Sequence, residues 1–180
     1  MKILMHTCCG PCSIYPLDKL TEEGHEVYGL FYNPNIHPYT EFKNRLDAAK
    51  KFYEIRGNKL IVLEEYPLEE FLRNCAFREN SRCIYCYSIR LERTASIAKR
   101  SGFDAFTTSL LVSPYQKHDL IKKLGEDIAV RYGIDFYYKD FRGGFKEGRQ
   151  KARELGLYLQ KYCGCIYSEK ERFYKEPKNN

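Results

Sequence analysis

The sequence lacks any long apolar run. No stretch approaches the roughly 20 hydrophobic residues of a membrane span. The apolar segment before His6 is only Ile3-Leu4-Met5, too short for the core of a secretory signal. Internal repeats, low-complexity tracts and linker-like segments are missing as well. So are the dense turn clusters of a small scaffold stapled by disulfides. With 43% hydrophobic, 15% aromatic and 30% charged residues, the composition is also unlike that of a disordered chain. These absences lead us to expect a soluble, cytoplasmic protein with no membrane partner, its residues 1–180 forming a single domain around a sizeable core.

Cysteine, by contrast, is plentiful, with eight in the chain. In a reducing compartment clustered cysteines point to metal binding or redox chemistry rather than to a disulfide framework. Seven fall in three motifs: Cys8, Cys9 and Cys12 in HTCCGPCS, Cys83 and Cys86 in RCIYCYS, and Cys163 and Cys165 in YCGCIYS. Cys75 stands alone and reads as a buried small hydrophobe. A C-x-x-C beside a helix start lets two sulfurs meet one metal, and the helix N-terminus favours the thiolate. Gly164 permits the tight backbone a C-x-C needs if both its sulfurs converge.

Thiolate ligands select zinc, copper(I) or iron–sulfur clusters over hard cations. A structural zinc takes only four ligands, and a thioredoxin-like dithiol would leave five clustered cysteines idle. An iron–sulfur cluster is therefore favoured, with zinc as the alternative. One cluster takes four thiolates, which leaves up to three sulfurs for a second metal or for chemistry. Vicinal Cys8 and Cys9 are expected to divide between the cluster and its neighbour, because adjacent side chains do not easily aim at one atom.

The surrounding pattern alternates. Strand-like segments lie at 2–6, 26–33, 59–66, 104–111 and 134–140. A helix is expected from near Ser13, which can cap it. Three more helices show apolar stripes at 3.6-residue spacing: Phe42-Leu46-Ala49-Tyr53 closed by Gly57, Tyr87-Leu91-Ala95-Ala98 ended by Gly102, and Leu120-Leu124-Ile128-Tyr132 stopped by Gly133. A last one runs from Phe145 to Leu155 before Gly156. This order predicts an α/β fold, a single doubly wound parallel sheet with helices on both faces. Such sheets bind ligands beyond the carboxyl ends of the strands, where strand order reverses. The cysteine-rich loop TCCGPCS follows the first strand and commonly lies there.

Charge is uneven. Residues 139–180 carry 11 Lys+Arg against 6 Asp+Glu, whereas residues 1–138 are nearly balanced at 19 against 18. Tyr158, Tyr162, Tyr167, Phe173 and Tyr174 are interleaved with the basic residues of the tail, 158–180. That mixture suits phosphate contact with base stacking, or else a solvated helix face.

The motifs HTCCGPC, CIYCYSIRLERTA, SPYQKHDLI, DFRGGF and YCGCIYSE, in this order, resemble those of the QueH-type epoxyqueuosine reductases, from Lys2 to about Glu169. The resemblance implies reductive deoxygenation of epoxyqueuosine in the tRNA anticodon to queuosine, without cobalamin. It implies a 4Fe-4S cluster, an adjacent mononuclear iron, a tRNA partner and a low-potential electron donor. Cys8, Cys9, Cys83 and Cys86 are the expected cluster ligands, and all seven motif cysteines the metal ligands. Tyr115, His118, Asp119 and Asp140 are the candidate proton donors; His118 and Asp119 could instead start a helix, and Asp140 could ligate iron or pair with Arg142. His6 is a packed core histidine or a support for the metal ligands. Arg90 and Arg93 share one helix face and either balance cluster charge, grip tRNA phosphate or face solvent. Lys161, Lys170 and Arg172 are candidate tRNA phosphate contacts.

The strand–loop–helix opening also resembles the nucleotide-binding alpha-hydrolase folds, including the PP-loop ATPases of tRNA thiolation. Their S-G-G-x-D-S phosphate loop is here TCCGPCS, in which Pro11 removes a backbone donor. The departure argues against ATP and for the same position converted from phosphate to metal. A cysteine-rich tRNA-thiolating or ATP-pyrophosphatase-like enzyme, or a zinc-binding RNA module, are the alternatives.

Overall fold

A computed structural model describes residues 1–176, so the last four residues of the basic tail lie outside it. Strand β1 (Lys2–His6) is at the centre, and Ile3, Leu4, Met5 and His6 are all fully buried, as expected of a strand covered on both faces. It is followed by α1 (Gly10–Glu22), β2 (Glu26–Phe31), α2 (Tyr39–Arg56), β3 (Leu60–Val62), α3 (Leu68–Cys75), α4 (Arg82–Arg100), β4 (Ala105–Thr108), α5 (His118–Tyr132), β5 (Asp135–Phe136), α6 (Phe145–Glu154) and α7 (Ile166–Phe173).

The strands form one sheet in the order β3-β2-β1-β4-β5, every neighbouring pair parallel. Right-handed crossovers put α1 and α2 on one face, where α6 joins them against α1. The other face carries α4 and α5, packed against each other. No helix among the described residues is long and apolar enough to cross a membrane.

The strands are shorter than the pattern suggests. β4 stops at Thr108 because its hydroxyl accepts from the Leu110 amide at 3.2 Å, turning Ser109–Val112 into a 3₁₀ turn. β5 keeps two residues; Tyr137 still donates to Phe106 O at 2.8 Å before the chain leaves the edge. Two short helices, α3 and α7, occupy segments with too few apolar repeats to read as helical. Helix α1 starts at Gly10 rather than near Ser13, and its cap is Cys9. The Ser13 hydroxyl lies inside the first turn, donating to Cys9 O at 2.9 Å.

Candidate metal centre

β1 is the point where strand order reverses: β2 lies on one side of it and β4 on the other. The chain leaving β1 passes into this crevice. There the Cys8 amide donates to Ser109 Oγ at 3.1 Å, tying the loops after β1 and β4 together. Cys9 is extended at φ −172°, and its sulfur accepts from the Cys12 amide at 3.4 Å as the cap of α1. The sulfurs of Cys8, Cys9 and Cys12 all lie within 4.8 Å of one another. Cys8 and Cys9 Sγ are 3.7 Å apart, so the two vicinal sulfurs lie side by side. Strand alternation ends at Cys8 and helix begins at Gly10, and that turn decides where the sulfurs point.

Electrostatics within the triad are unequal. The Cys12 and Cys9 thiols donate to Cys8, holding its pKa well below the ordinary thiol value; Ser109 Oγ, 3.5 Å from the sulfur, adds to this. Hydrogen bonding to Cys8 pushes Cys12 up, and burial pushes Cys9 up. Of the three, only Cys8 is pulled down. Beneath it, buried His6 is held by three partners, Thr108 Oγ1 at 2.9 Å, Asn33 Oδ1 at 3.1 Å and Tyr32 O at 3.3 Å. Two carbonyl-type oxygens face Nε2, so the proton sits there and Nδ1 accepts from Thr108. Burial, then Arg90, lowers the His6 pKa to about 3, and the ring is neutral. It therefore serves as a polar brace between the strand ends.

The other two cysteine motifs meet on the α4 side. Cys83 and Cys86 are the second and fifth residues of α4, inside the helix rather than before it. Cys165 caps α7, its sulfur accepting from the Ser168 amide at 3.4 Å. Gly164 has φ +155°, and a Cβ there would stand 3.1 Å from Asn35 Nδ2, so the residue between Cys163 and Cys165 has to be glycine. Cys86, Cys165 and Cys75 share one small core with Phe71. Cys75 is fully buried, as a small hydrophobe would be. Burial pushes Cys86 up to about 12, against the pull of Arg90.

Two buried arginines sit among these sulfurs. Arg90, 2% exposed, donates to Cys86 Sγ at 3.0 Å and to Cys86 O at 2.8 Å. This burial leaves it little surface to offer a phosphate and sets its guanidinium against the Cys86 sulfur. Arg45, 1% exposed, was not anticipated: it donates to Cys163 O at 2.8 Å, Tyr162 O at 2.9 Å and Glu41 at 2.7 Å. Its signal in the sequence is a charge three residues from Phe42 on the apolar stripe of α2. Gln116 and Gln160 were also missed; they donate to Cys163 Sγ at 3.3 Å and Cys12 Sγ at 3.0 Å. Isolated glutamines in loops carry no pattern that a reading of spacing can detect.

The remaining expected site residues are spread more widely. His118 is 7% exposed at the start of α5, its Nε2 3.0 Å from Ser113 O and its Nδ1 buried without a partner. Asp119 is exposed in the same turn. Tyr115 is 83% exposed with its ring edge-on to Phe145. Asp140 is paired with Arg142, with contacts at 2.6–3.0 Å, and this holds its carboxyl down at about 2. It is thus ionised at neutral pH, which removes it as a proton donor and leaves its reading as the Arg142 partner. Arg93 is part-exposed, 3.3 Å from Glu65. Lys161, Lys170 and Arg172 are exposed, the last two on α7.

Chemically, the donor set is all sulfur, mostly buried and flanked by fixed positive charge, which fits a thiophilic metal centre. The triad is close enough for one ion. The C-x-x-C and C-x-C sulfurs are not gathered that tightly, as suits ligands at the separate corners of a cluster.

The family described as epoxyqueuosine reductase QueH matches residues 3–171. An epoxyqueuosine reductase QueH of Dehalococcoides mccartyi is 39% identical over 174 residues, covering 97% of this chain and 96% of the relative. One from Thermotoga maritima is 36% identical, covering 94% and 91%. Among solved structures, a predicted subunit of tRNA methyltransferase from Methanocaldococcus jannaschii superposes with a TM-score of 0.58 at 17% identity, covering 86% of this chain and 76% of that one. That likeness concerns the fold alone.

Proposed function

Because the chain belongs to the QueH family of epoxyqueuosine reductases, we propose that it removes the epoxide oxygen of epoxyqueuosine in the tRNA anticodon. It is an oxidoreductase of tRNA modification. We read residues 1–180 as one catalytic unit working in the cytoplasm, without cobalamin or ATP, on electrons from a low-potential donor. The observation that carries this reading is the gathering of the Cys8, Cys9 and Cys12 sulfurs within 4.8 Å of one another at the crevice beside β1.

In the overall reaction both epoxide C–O bonds break and a C=C bond forms. Two electrons and two protons enter, and the oxygen leaves as water. The seven motif cysteines would hold a 4Fe-4S cluster and an adjacent iron, the triad being the set suited to the single ion. When bound, such a centre supplies low-potential electrons and a Lewis acid for the oxygen.

The chain's own residues do the rest. Arg90 and Arg45 offset the negative charge that thiolates bring into a buried site. Gln116 and Gln160 give their amide N–H groups to Cys163 and Cys12, and such bonds to sulfur set a centre's potential. We assign the proton delivered to the leaving oxygen to one of Tyr115, His118 and Asp119, which stand together at and just before the start of α5. Lys161, Lys170 and Arg172 are placed to meet tRNA phosphate.

The test is anaerobic turnover of epoxyqueuosine-containing tRNA with a chemical reductant and no cobalamin or ATP. Queuosine in the digested tRNA is the expected result. A protein that forms no queuosine but consumes ATP in the presence of tRNA would sink the reading in favour of a tRNA-thiolating or ATP-pyrophosphatase-like enzyme.

A further inference from the structure

Phe77 is the most exposed large apolar side chain among the described residues, at 99%. It is also the only non-glycine residue among them with a left-handed backbone, φ 61°. A left-handed conformation is unfavourable for any side chain with a Cβ and persists only where its surroundings impose it. Here they do. The Phe77 amide donates to Glu79 Oε1 at 3.1 Å, Arg78 N donates to Cys75 O at 2.9 Å, and Ser81 N donates to Arg78 O at 2.9 Å. The loop is a built turn that holds an aromatic ring clear of the surface, at no packing benefit to the fold.

Its position is specific. The loop joins α3 to α4, beginning just after Cys75, which is packed against Cys86 and Cys165, and ending at the Cys83–Cys86 turn. The ring therefore stands on the rim of the second cysteine group. Arg73 and Arg78 beside it are exposed, and neither forms an ion pair among the described residues. Ile84, on the first turn of α4, is 49% exposed.

We propose that Phe77 is a stacking platform for an unpaired nucleotide of the RNA substrate, with Arg73 and Arg78 taking the flanking phosphates. The inference rests on the tRNA-directed reading above and deepens it by locating how the reacting nucleotide is presented. Chemistry on a base requires that base to leave its stack, and its neighbours then need a new planar surface. A lone ring set among charged and polar residues, open on both faces, suits a planar base between two phosphates. A docked protein would call for a contiguous apolar patch instead, and here the ring is followed by Arg78, Glu79 and Asn80 and preceded only by the small Ala76.

The experiment is fluorescence-anisotropy titration of an anticodon stem-loop RNA against the metal-loaded protein, with parallel steady-state turnover of epoxyqueuosine-tRNA. Phe77→Ala is expected to weaken RNA binding about 5- to 150-fold, the range for losing one base stack. Phe77→Trp retains binding. Phe77→Gly, which relieves the backbone, weakens binding while its melting temperature stays at or above wild type. In turnover the loss from Phe77→Ala appears in KM rather than kcat. Arg78→Gln lowers the steepness of the salt dependence by about one phosphate contact.

RNA affinity unchanged in Phe77→Ala overturns the proposal. So does a variant whose RNA affinity holds while its rate with a protein reductant falls, since the loop would then be a reductant dock. If the wild type binds RNA through Phe77 but never reduces the epoxide, it is the activity reading that fails.

Discussion

Arg45→Met probes how the fold fixes the C-x-C segment. Arg45 and Glu41 are 1% and 6% exposed and 2.7 Å apart. The same guanidinium donates to Cys163 O and Tyr162 O at 2.8 and 2.9 Å. Removing one partner of a buried ion pair costs about 3–5 kcal/mol, because the other charge is left uncompensated. Two backbone carbonyls lose charge-assisted partners as well. Against a typical total stability of about 5–15 kcal/mol this is a large fraction. Anaerobic urea denaturation of Arg45→Met, Glu41→Gln and the double variant forms the cycle. The double variant should recover part of the loss by removing the orphaned carboxylate, although the carbonyls remain unpaired. Arg45→Lys should keep most of the ion-pair stability. Arg45→Met and Arg45→Lys are both expected to hold iron less well, because neither side chain can span Glu41 and both carbonyls. A cost below about 1 kcal/mol for Arg45→Met would refute the reasoning. So would a double variant no better than the single one.

Other expectations concern single residues. Cys75→Ala should cost about 1 kcal/mol for lost packing in a small core and leave the iron content unchanged; loss of iron would make Cys75 a ligand. Asp140→Asn tests both a pairing and a role. The carboxyl pKa is depressed to about 2 from 3.8, so its stabilisation is present above 3.8 and lost as pH falls through 2. Because the pair is largely exposed, the effect at neutral pH should stay under about 1 kcal/mol, and thermal melts at pH 7 and pH 2 will show whether it vanishes in acid. The variant should keep the wild-type pH–rate profile, and loss of its acid limb would return Asp140 to the list of proton donors. Gly164→Ala should lower iron retention, since φ +155° strains any residue with a Cβ and the new methyl would crowd Asn35 Nδ2 at 3.1 Å; unchanged iron content would show that the C-x-C tolerates another backbone.

Much of the fold could be read from pattern. Buried Ile3, Leu4 and Met5 marked the central strand, and Gly57 and Gly133 marked the ends of α2 and α5. Strand lengths were overread because edge residues such as Tyr138 keep strand-like composition after the ladder has ended. The three cysteine motifs were visible as spacing, but their side-chain directions were not. The Cys8 and Cys9 sulfurs lie side by side because the chain turns from strand to helix between them and Gly10, which pattern alone does not convey. Arg45 and Arg90 look like surface charges on amphipathic helices. Only the three-dimensional packing shows them buried against the cysteine segments. Gln116 and Gln160 reach their sulfurs across 47 and 148 residues of chain, beyond any local signal.

The most direct test of the central claim is metal analysis of anaerobically isolated protein, taken together with its visible spectrum. The account predicts a brown protein holding about five iron atoms per chain, four in a cluster and one beside it. It further predicts that Cys8→Ser loses the fifth iron first. A colourless protein with stoichiometric zinc and no iron would contradict it.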